Sequence, residues 1–373
     1  LLALGYDTWH VGLLSTATLL GSALATLALG AWGHHASSRR LLPAAALLMA
    51  ATGLGFAGLS SFWPLLLVAF VGTLNPSSGD VSVFLPLEHA RLSHAAEGET
   101  RTRLFARYSL TGTLFAALGA LAAGLPDALA ALGIDRLVSL RAMFVGYAAA
   151  GASIWILYSG IERQPAQEGA AAPAPLGPSR AIVIRLAALF SLDSFAGGLI
   201  VNSLLALWLF ERFGLSLTAA GAFFFWAGLL SAFSQLLAPR VARRIGLLNT
   251  MVFTHIPASL FLILAALAPD LWWALGFLLA RSALSQMDVP ARSAYVMSVV
   301  TPAERTAAAS FTAVPRSLAA ALSPSLGGAL FAAGWLAAPL VACGCLKIAY
   351  DLALWQAFRQ HPVDEVITKL DSR

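Results

Sequence analysis

RQPAQEGAAAPAPLGPSR, Arg163–Arg180, separates two strongly apolar halves of the chain. Rich in Pro and Ala, it has no face to bury and reads as a mobile linker. On either side of it, Val11–Trp32, Leu41–Phe70 and Leu247–Pro269 carry no Asp, Glu, Lys or Arg. Each reaches or exceeds the roughly 20 residues that a helix needs to cross a bilayer. Of the 373 residues, 59% are hydrophobic and 11% charged, against roughly 45–50% and 25% in soluble proteins. Too little polar surface is left to cover a soluble globule, so the chain reads as an all-α polytopic membrane protein.

The same sequence excludes several chemistries. Its two lysines, Lys347 and Lys369, do not follow Gly, so no P-loop is present. No aspartyl-phosphate loop or zinc H-E-x-x-H occurs either. Uphill movement of a solute must therefore draw on a proton or ion gradient, with no cofactor and no resident metal. Cys343 and Cys345 lie in the apolar run AAPLVACGCLKIAY and read as small fillers. The net charge of +5 reflects membrane topology and implies no nucleic-acid partner. The Arg bias and high Ala content suit a bacterial genome rich in GC, and hence a bacterial inner membrane.

Apolar runs between charged or Pro/Gly breaks predict eleven spans, at about 11–33, 40–60, 62–88, 103–125, 139–162, 182–210, 217–238, 247–268, 271–297, 305–334 and 336–359. With the Arg39–Arg40 loop placed in the cytoplasm, the cytoplasmic segments hold Arg39, Arg40, Arg91, Arg101, Arg103, Arg163, Arg180, Arg185, Arg240, Arg243, Arg244, Arg305, Arg359, Lys369 and Arg373. Only Arg136, Arg141 and Arg212 fall outside. Fifteen against three sets the orientation, with linker and C-terminus cytoplasmic. Trp63, Trp272, Trp273 and Trp335 then sit at the outer boundary, where interfacial indoles belong.

The halves repeat. GYDTWHVG (Gly5–Gly12) matches GLSLTAAG (Gly214–Gly221) at an offset of 209, Asp80-Val81 matches Asp288-Val289 at 208, and Arg101–Ala120 matches Arg305–Pro324 at 204. By this repeat the span at 182–210 has no counterpart in the first half. The expectation is a protein of twelve helices whose first is missing from this chain, with a true eleven-helix protein as the alternative.

Six plus six helices, a cytoplasmic central linker and a parallel repeat resemble the major facilitator superfamily of secondary transporters. The resemblance covers essentially the whole chain. It implies two six-helix bundles with pseudo-two-fold symmetry, of which eleven helices are present: residues 1–162 (TM2–TM6), the linker 163–181, and residues 182–373 (TM7–TM12). The family's loop signature G-x-x-x-D-R-x-G-R-R is degraded here. Gly30 and Arg39 fit, but His34 and Ser37 replace the Asp and the second Gly. Its second copy, PRVARRIGLLN, keeps Arg244 and Gly246 and puts Arg243 at the acidic position. LPLEHAR is similar to the family's cytoplasmic Glu/Arg pair. By resemblance, then, His34, Arg39, Glu88, Arg91, Arg243 and Gly246 are gating candidates. The helix-5 antiporter signature G-P-x-x-G-G is absent, its Pro being missing beside Gly119 and Gly124; a similar SPSLGG (Ser323–Gly328) lies in TM11.

A charge at mid-membrane costs at least about 2.5–3.5 kcal/mol, so each one asks for a reason. TM1, TM4, TM7 and TM10 line the central cavity in this family. Asp80 on TM4 follows NPSSG, which must kink the helix, and Asp193 on TM7 precedes Phe195-Ala196-Gly197-Gly198, which allows a broken helix. Buried carboxyl groups suit proton carriage, so Asp80 and Asp193 are the proton-coupling candidates, Asp80 first. Arg281 and Asp288 on TM10 are two helical turns apart on one face. With Arg316, Asn75 and Asn202 they are the substrate-cavity candidates, the arginines binding an anion or pairing with the acids. Lys347 and Asp351 read as an i, i+4 pair snorkelling toward the cytoplasm, Asp288–Arg292 as a second such pair, and His255 beside Pro257 on the outer helix TM9 as structural. Arg107 reads as an interface anchor.

These features predict a proton-coupled secondary transporter of a small organic solute, monomeric, working by alternating access, with export favoured over import. A transport-inactive receptor or scaffold, a facilitative uniporter or an anion transporter are the alternatives. A membrane enzyme is disfavoured, because His34, His35, His89 and His94 are cytoplasmic and no Ser/His or metal constellation lies at matching depth.

Overall fold

The computed structural model describes residues 1–32, 38–74, 84, 87–88, 98–160, 177–301 and 304–360. They form α1 (Thr8–Trp32), α2 (Ser38–Gly58), α3 (Phe62–Val71), α4 (Gly98–Ala122), α5 (Leu125–Ala131), α6 (Arg136–Ser159), α7 (Arg180–Gly198), α8 (Asn202–Phe213), α9 (Leu217–Ile245), α10 (Leu247–Ala266), α11 (Leu271–Ser282), α12 (Asp288–Ser298), α13 (Arg305–Ala332) and α14 (Ala338–Phe358). No strand occurs among the described residues. Eight helical segments there are long and apolar enough to cross a membrane. The expected spans that fall short of this measure are α3 with 10 residues, the divided α11–α12 and the Arg316-bearing α13. Trp63, Trp272, Trp273 and Trp335 are all exposed, as residues at a lipid boundary should be.

Two spans expected to be continuous are broken. The run 182–210 stops at Gly198 and resumes at Asn202, leaving Leu199–Val201 outside either helix. Paired Gly197-Gly198 lowers helix propensity where the break occurs. The run 271–297 is interrupted between Ser282 and Asp288. Helical phase does not carry across that gap, which corrects the expectation that Arg281 and Asp288 share one face two turns apart. Non-helical backbone at membrane depth persists only where protein buries it or it lines a cavity, so both breaks mark places of special packing.

The chain folds as two compact units. The first comprises Leu1–Glu168, Ile200–Phe225 and Ala321–Trp335. Within it, α2 lies along α6: a Cβ on Gly53 would stand 2.7 Å from Ala148 N, and one on Gly151 would stand 2.7 Å from Ala50 N. Small residues let helix backbones approach where lipid supplies no hydrophobic drive. The repeat is legible in the same unit. A Cβ on Gly12 would meet Pro324 O at 2.7 Å and Gly328 N at 3.2 Å; one on Gly221 would meet Ala120 O at 2.5 Å and Gly124 N at 3.6 Å. Gly12 and Gly221 are 209 apart, while Pro324/Gly328 and Ala120/Gly124 are each 204 apart, the offsets seen in the sequence. Gly5 and Gly214 match as well: Gly5 closes a short 3-10 turn, Leu2–Leu4, and Gly214 closes α8, both in the left-handed region, at φ 84° and 62°, where a side chain would be strained.

The second unit comprises Gly169–Leu199, Trp226–Ala320 and Leu336–Arg373. Its apolar core gathers Val183, Leu186 and Phe190 of α7, Met251 and Val252 of α10, Tyr295 of α12, and Tyr350 and Leu354 of α14. In α10, His255, Ser259 and Ile263 recur every four residues. In α14, Gly344, Lys347 and Asp351 fall at i, i+3 and i+7. Each set makes one stripe on its helix. The stripes face each other antiparallel, with Gly344 against Ile263 and Ser259 O, and Asp351 against His255. At the end of the linker, the buried Glu304 accepts hydrogen bonds from the Gly177 N–H and, at 2.7 Å, from the Thr301 hydroxyl. Those donors, with Ser179 the strongest, hold its carboxyl down at about 2.

Candidate functional site

Four helices of the second unit bring six ionisable side chains together. Asp193 (α7), His255 (α10), Asp288 and Arg292 (α12), and Lys347 and Asp351 (α14) are all at most 9% exposed. Lys347 Nζ donates to Asp193 Oδ1 at 2.6 Å. Arg292 Nη1 lies 3.5 Å from the other oxygen of Asp193, while its Nη2 binds Asp288 one turn back. His255 Nδ1 stands 3.1 and 3.0 Å from the two oxygens of Asp351. His255 Nε2 lies 3.4 Å from Lys347 Nζ and 3.8 Å from Asp193 Oδ1. The Arg292 guanidinium also sits 5.4 Å from the Phe190 ring centroid, a cation–π contact that offsets part of its desolvation.

The sequence puts these groups here for local reasons. Gly197 lies against Lys347, whose Nζ would make an ordinary contact, at 3.7 Å, with a Cβ at that position. Gly344 lets α14 close on α10, since a Cβ there would stand 2.9 Å from Ser259 O. Asp288 opens α12 in its first turn, where a carboxylate also favours the helix dipole. Buried charges survive only when paired and hydrogen-bonded; Asp193, Asp288, Arg292 and Lys347 each have an opposite partner here, and Asp351 is held by the His255 ring.

Of the proton-coupling candidates, Asp193 is the centre of the network and Asp80 lies outside the described residues. Among the cavity candidates, Asp288 belongs to the network through Arg292. Arg281 and Arg316 are half-buried and, among the described residues, make no ion pair. Asn202 opens α8 just past the break, beside Ser203, whose hydroxyl meets that of Ser15 at 3.0 Å. Asn75 lies outside the described residues, as do the gating candidates His34 and Arg91. Arg39 is in the first turn of α2. Glu88 accepts hydrogen bonds from the hydroxyls of Tyr108 and Tyr158. Arg243 is exposed in the last turn of α9, and Gly246 caps α10 at φ 85°. Arg107 is exposed.

One reading of the sequence is corrected. Lys347 and Asp351 do not snorkel as a pair, because each reaches across to another helix, to Asp193 and His255 respectively. His255, read as structural, is a member of the network. The available signal was depth: His255, Lys347 and Asp351 are ionisable side chains within apolar helices, where each needs a partner.

The family model described as the Major Facilitator Superfamily matches residues 2–287. The chain belongs to this superfamily. Similarity extends to an uncharacterized membrane protein of Saccharomyces cerevisiae, YJR124C, at 24% identity over 380 residues, covering 92% of this chain and 85% of that one. The fold is that of solved superfamily transporters. The nucleoside transporter NupG superposes with a TM-score of 0.73 at 14% identity, over 96% of this chain and 92% of that one. The xylose transporter XylE from E. coli, in its inward-open conformation, superposes with a TM-score of 0.71 at 14% identity, over 97% and 89%. A multi-pass transporter fold, and not an enzyme, is the setting in which the buried network has to be understood.

Proposed function

We propose that the chain is a proton-coupled secondary transporter that carries a small organic solute by alternating access. The observation that carries this reading is Asp193, a carboxylate buried beside a helix break and shared between Lys347 and Arg292. A buried acid between two cations changes partners when a proton or a charged solute arrives, and such a change is what a coupled carrier needs. Asp193 and Asp80 are the proton-coupling residues of this proposal. Asp288, Arg281, Arg316, Asn75 and Asn202 contribute to the solute cavity, and His34, Arg39, Glu88, Arg91, Arg243 and Gly246 to the gates. The bundles are residues 1–162 and 182–373, joined by a cytoplasmic linker, in a monomer of a bacterial inner membrane that favours export. The transport folds of NupG and XylE support the reading at the level of architecture.

The test is flux in proteoliposomes holding a pH-sensitive dye. Thermal-shift screening of nucleosides, pentoses and organic anions selects the solute, starting with uridine and D-xylose. Addition of a transported solute should move protons in step with it. Solute counterflow without proton movement would remove the coupling, and no counterflow of any solute that shifts the melting temperature would remove transport.

A further inference from the structure

The hydrogen-bond geometry around His255 is satisfied by one tautomer, assigned from its partners. Lys347 Nζ is a donor only, so at 3.4 Å His255 Nε2 is the acceptor. The ring proton is therefore on Nδ1, donated to the two oxygens of Asp351. In this arrangement the paired set holds three carboxylates, Asp193, Asp288 and Asp351, against two cations, Arg292 and Lys347. Within that hydrogen-bonded set Asp351 is the carboxylate whose partner is the His255 ring and not a cation. The vacant lone pair on Nε2 already points into the network, 3.8 Å from Asp193 Oδ1.

We infer that His255 and Asp351 form a proton-binding site, and that a proton on His255 Nε2 replaces Lys347 as the partner of Asp193. The N–H bond forms at Nε2 with a proton taken from the aqueous side, and Lys347 keeps its own three protons. The imidazolium then donates to Asp351 through Nδ1 and to Asp193 through Nε2, while like-charge repulsion at the present 3.4 Å separation expels the ammonium. Groups facing the imidazole come from each neighbouring helix: Asp193 from α7, Lys347, Tyr350 and Asp351 from α14, and Arg292 through Asp193 from α12. Arg281 of α11, the other helix packed on α10, and Arg316 of α13 are half-buried outside this hydrogen-bonded set. The released ammonium is the element that a proton would hand over to an anionic solute or to the opposite conformation.

This site deepens the proton-coupled reading and rests on it for its use, but the test needs neither gradient nor solute. Infrared difference spectra of the full chain carrying ring-labelled histidine would be compared between alkaline and acidic buffer, across the range in which the protein stays folded. Wild type should gain an imidazolium signal that His255→Gln lacks and that Asp351→Asn loses. Cryo-electron microscopy of wild type at the two ends of that range should show Asp193 bound by Lys347 when alkaline and by His255 when acidic, which keeps the test open if a variant does not fold. Identical spectra for wild type and His255→Gln, or Lys347 on Asp193 at both ends, would overturn the inference. Flux measurements then decide separately whether the transport reading stands.

Discussion

Lys347 and Asp193, 154 residues apart in the chain, meet at 2.6 Å between helices α14 and α7. Both are almost completely buried. Removing one member of such a pair leaves an uncompensated charge, at a cost of about 3–5 kcal/mol. Lys347→Met leaves Asp193 with Arg292 as its remaining cation, so it should lower stability in detergent denaturation by less than that full cost. Adding Asp193→Asn should recover a coupling of roughly 0.5–3 kcal/mol. Simple additivity of the two variants would mean that the pair carries no energy.

The close approaches at glycine give a symmetric expectation. Gly12→Leu and Gly221→Leu each drive a side chain into the backbone carbonyl of a facing helix, Pro324 O and Ala120 O respectively. Both should cost about 1–3 kcal/mol or more through overpacking. Gly112→Ala, where a Cβ meets nothing within 4 Å, should be neutral or gain up to about 1 kcal/mol of helix propensity. Thermal unfolding of the three variants side by side checks this, and a Gly12→Leu as stable as Gly112→Ala would contradict it.

Most of the architecture was legible in the sequence because a bilayer demands about 20 apolar residues per helix and leaves little freedom beyond that. The offsets of 209 and 204 recur as matched backbone approaches at Gly12 and Gly221, since close approach needs glycine on at least one side. The break after Gly198 was readable from its paired glycines. The one after Ser282 was not, since ARSALSQMDV contains neither Gly nor Pro before Asp288. The candidate site was half legible. Asp193 stood out as a lone acid in an apolar helix, but its partners are long-range. An i, i+4 spacing such as that of Lys347 and Asp351 looks self-sufficient until the neighbouring helices are known.

Glu304 offers a test at the loop between α12 and α13. Its carboxyl, held at about 2 by Ser179, Thr301 and Gly177, lies below the ordinary value of 4.5. A depressed carboxyl contributes stability above its unfolded value and loses it as pH falls from about 4.5 toward about 2. Protection of the Gly177 amide, taken relative to its intrinsic exchange rate at each pH, should fall over that acidic window. Glu304→Gln should exchange fast already at neutral pH, and unchanged protection in that variant would rule the clasp out.

Arg281 and Arg316 are half-buried guanidinium groups without an ion pair among the described residues. With no acid to leave stranded, Arg281→Ala and Arg316→Ala should fold nearly as well as wild type. If they serve the solute, each should weaken binding of an anionic one by about tenfold or more, on the scale of a lost charged hydrogen bond. Thermal-shift titration of the purified variants reads both quantities. Full affinity in both variants would place the solute elsewhere.

The central claim is that proton movement and solute movement meet at Asp193. Its most direct test is solute accumulation in proteoliposomes under an imposed pH gradient, with Asp193→Asn beside wild type and counterflow measured on the same preparations. Wild type should concentrate the solute against its gradient, and Asp193→Asn should lose that accumulation while still exchanging solute at equilibrium. Accumulation by Asp193→Asn equal to that of wild type would contradict the account.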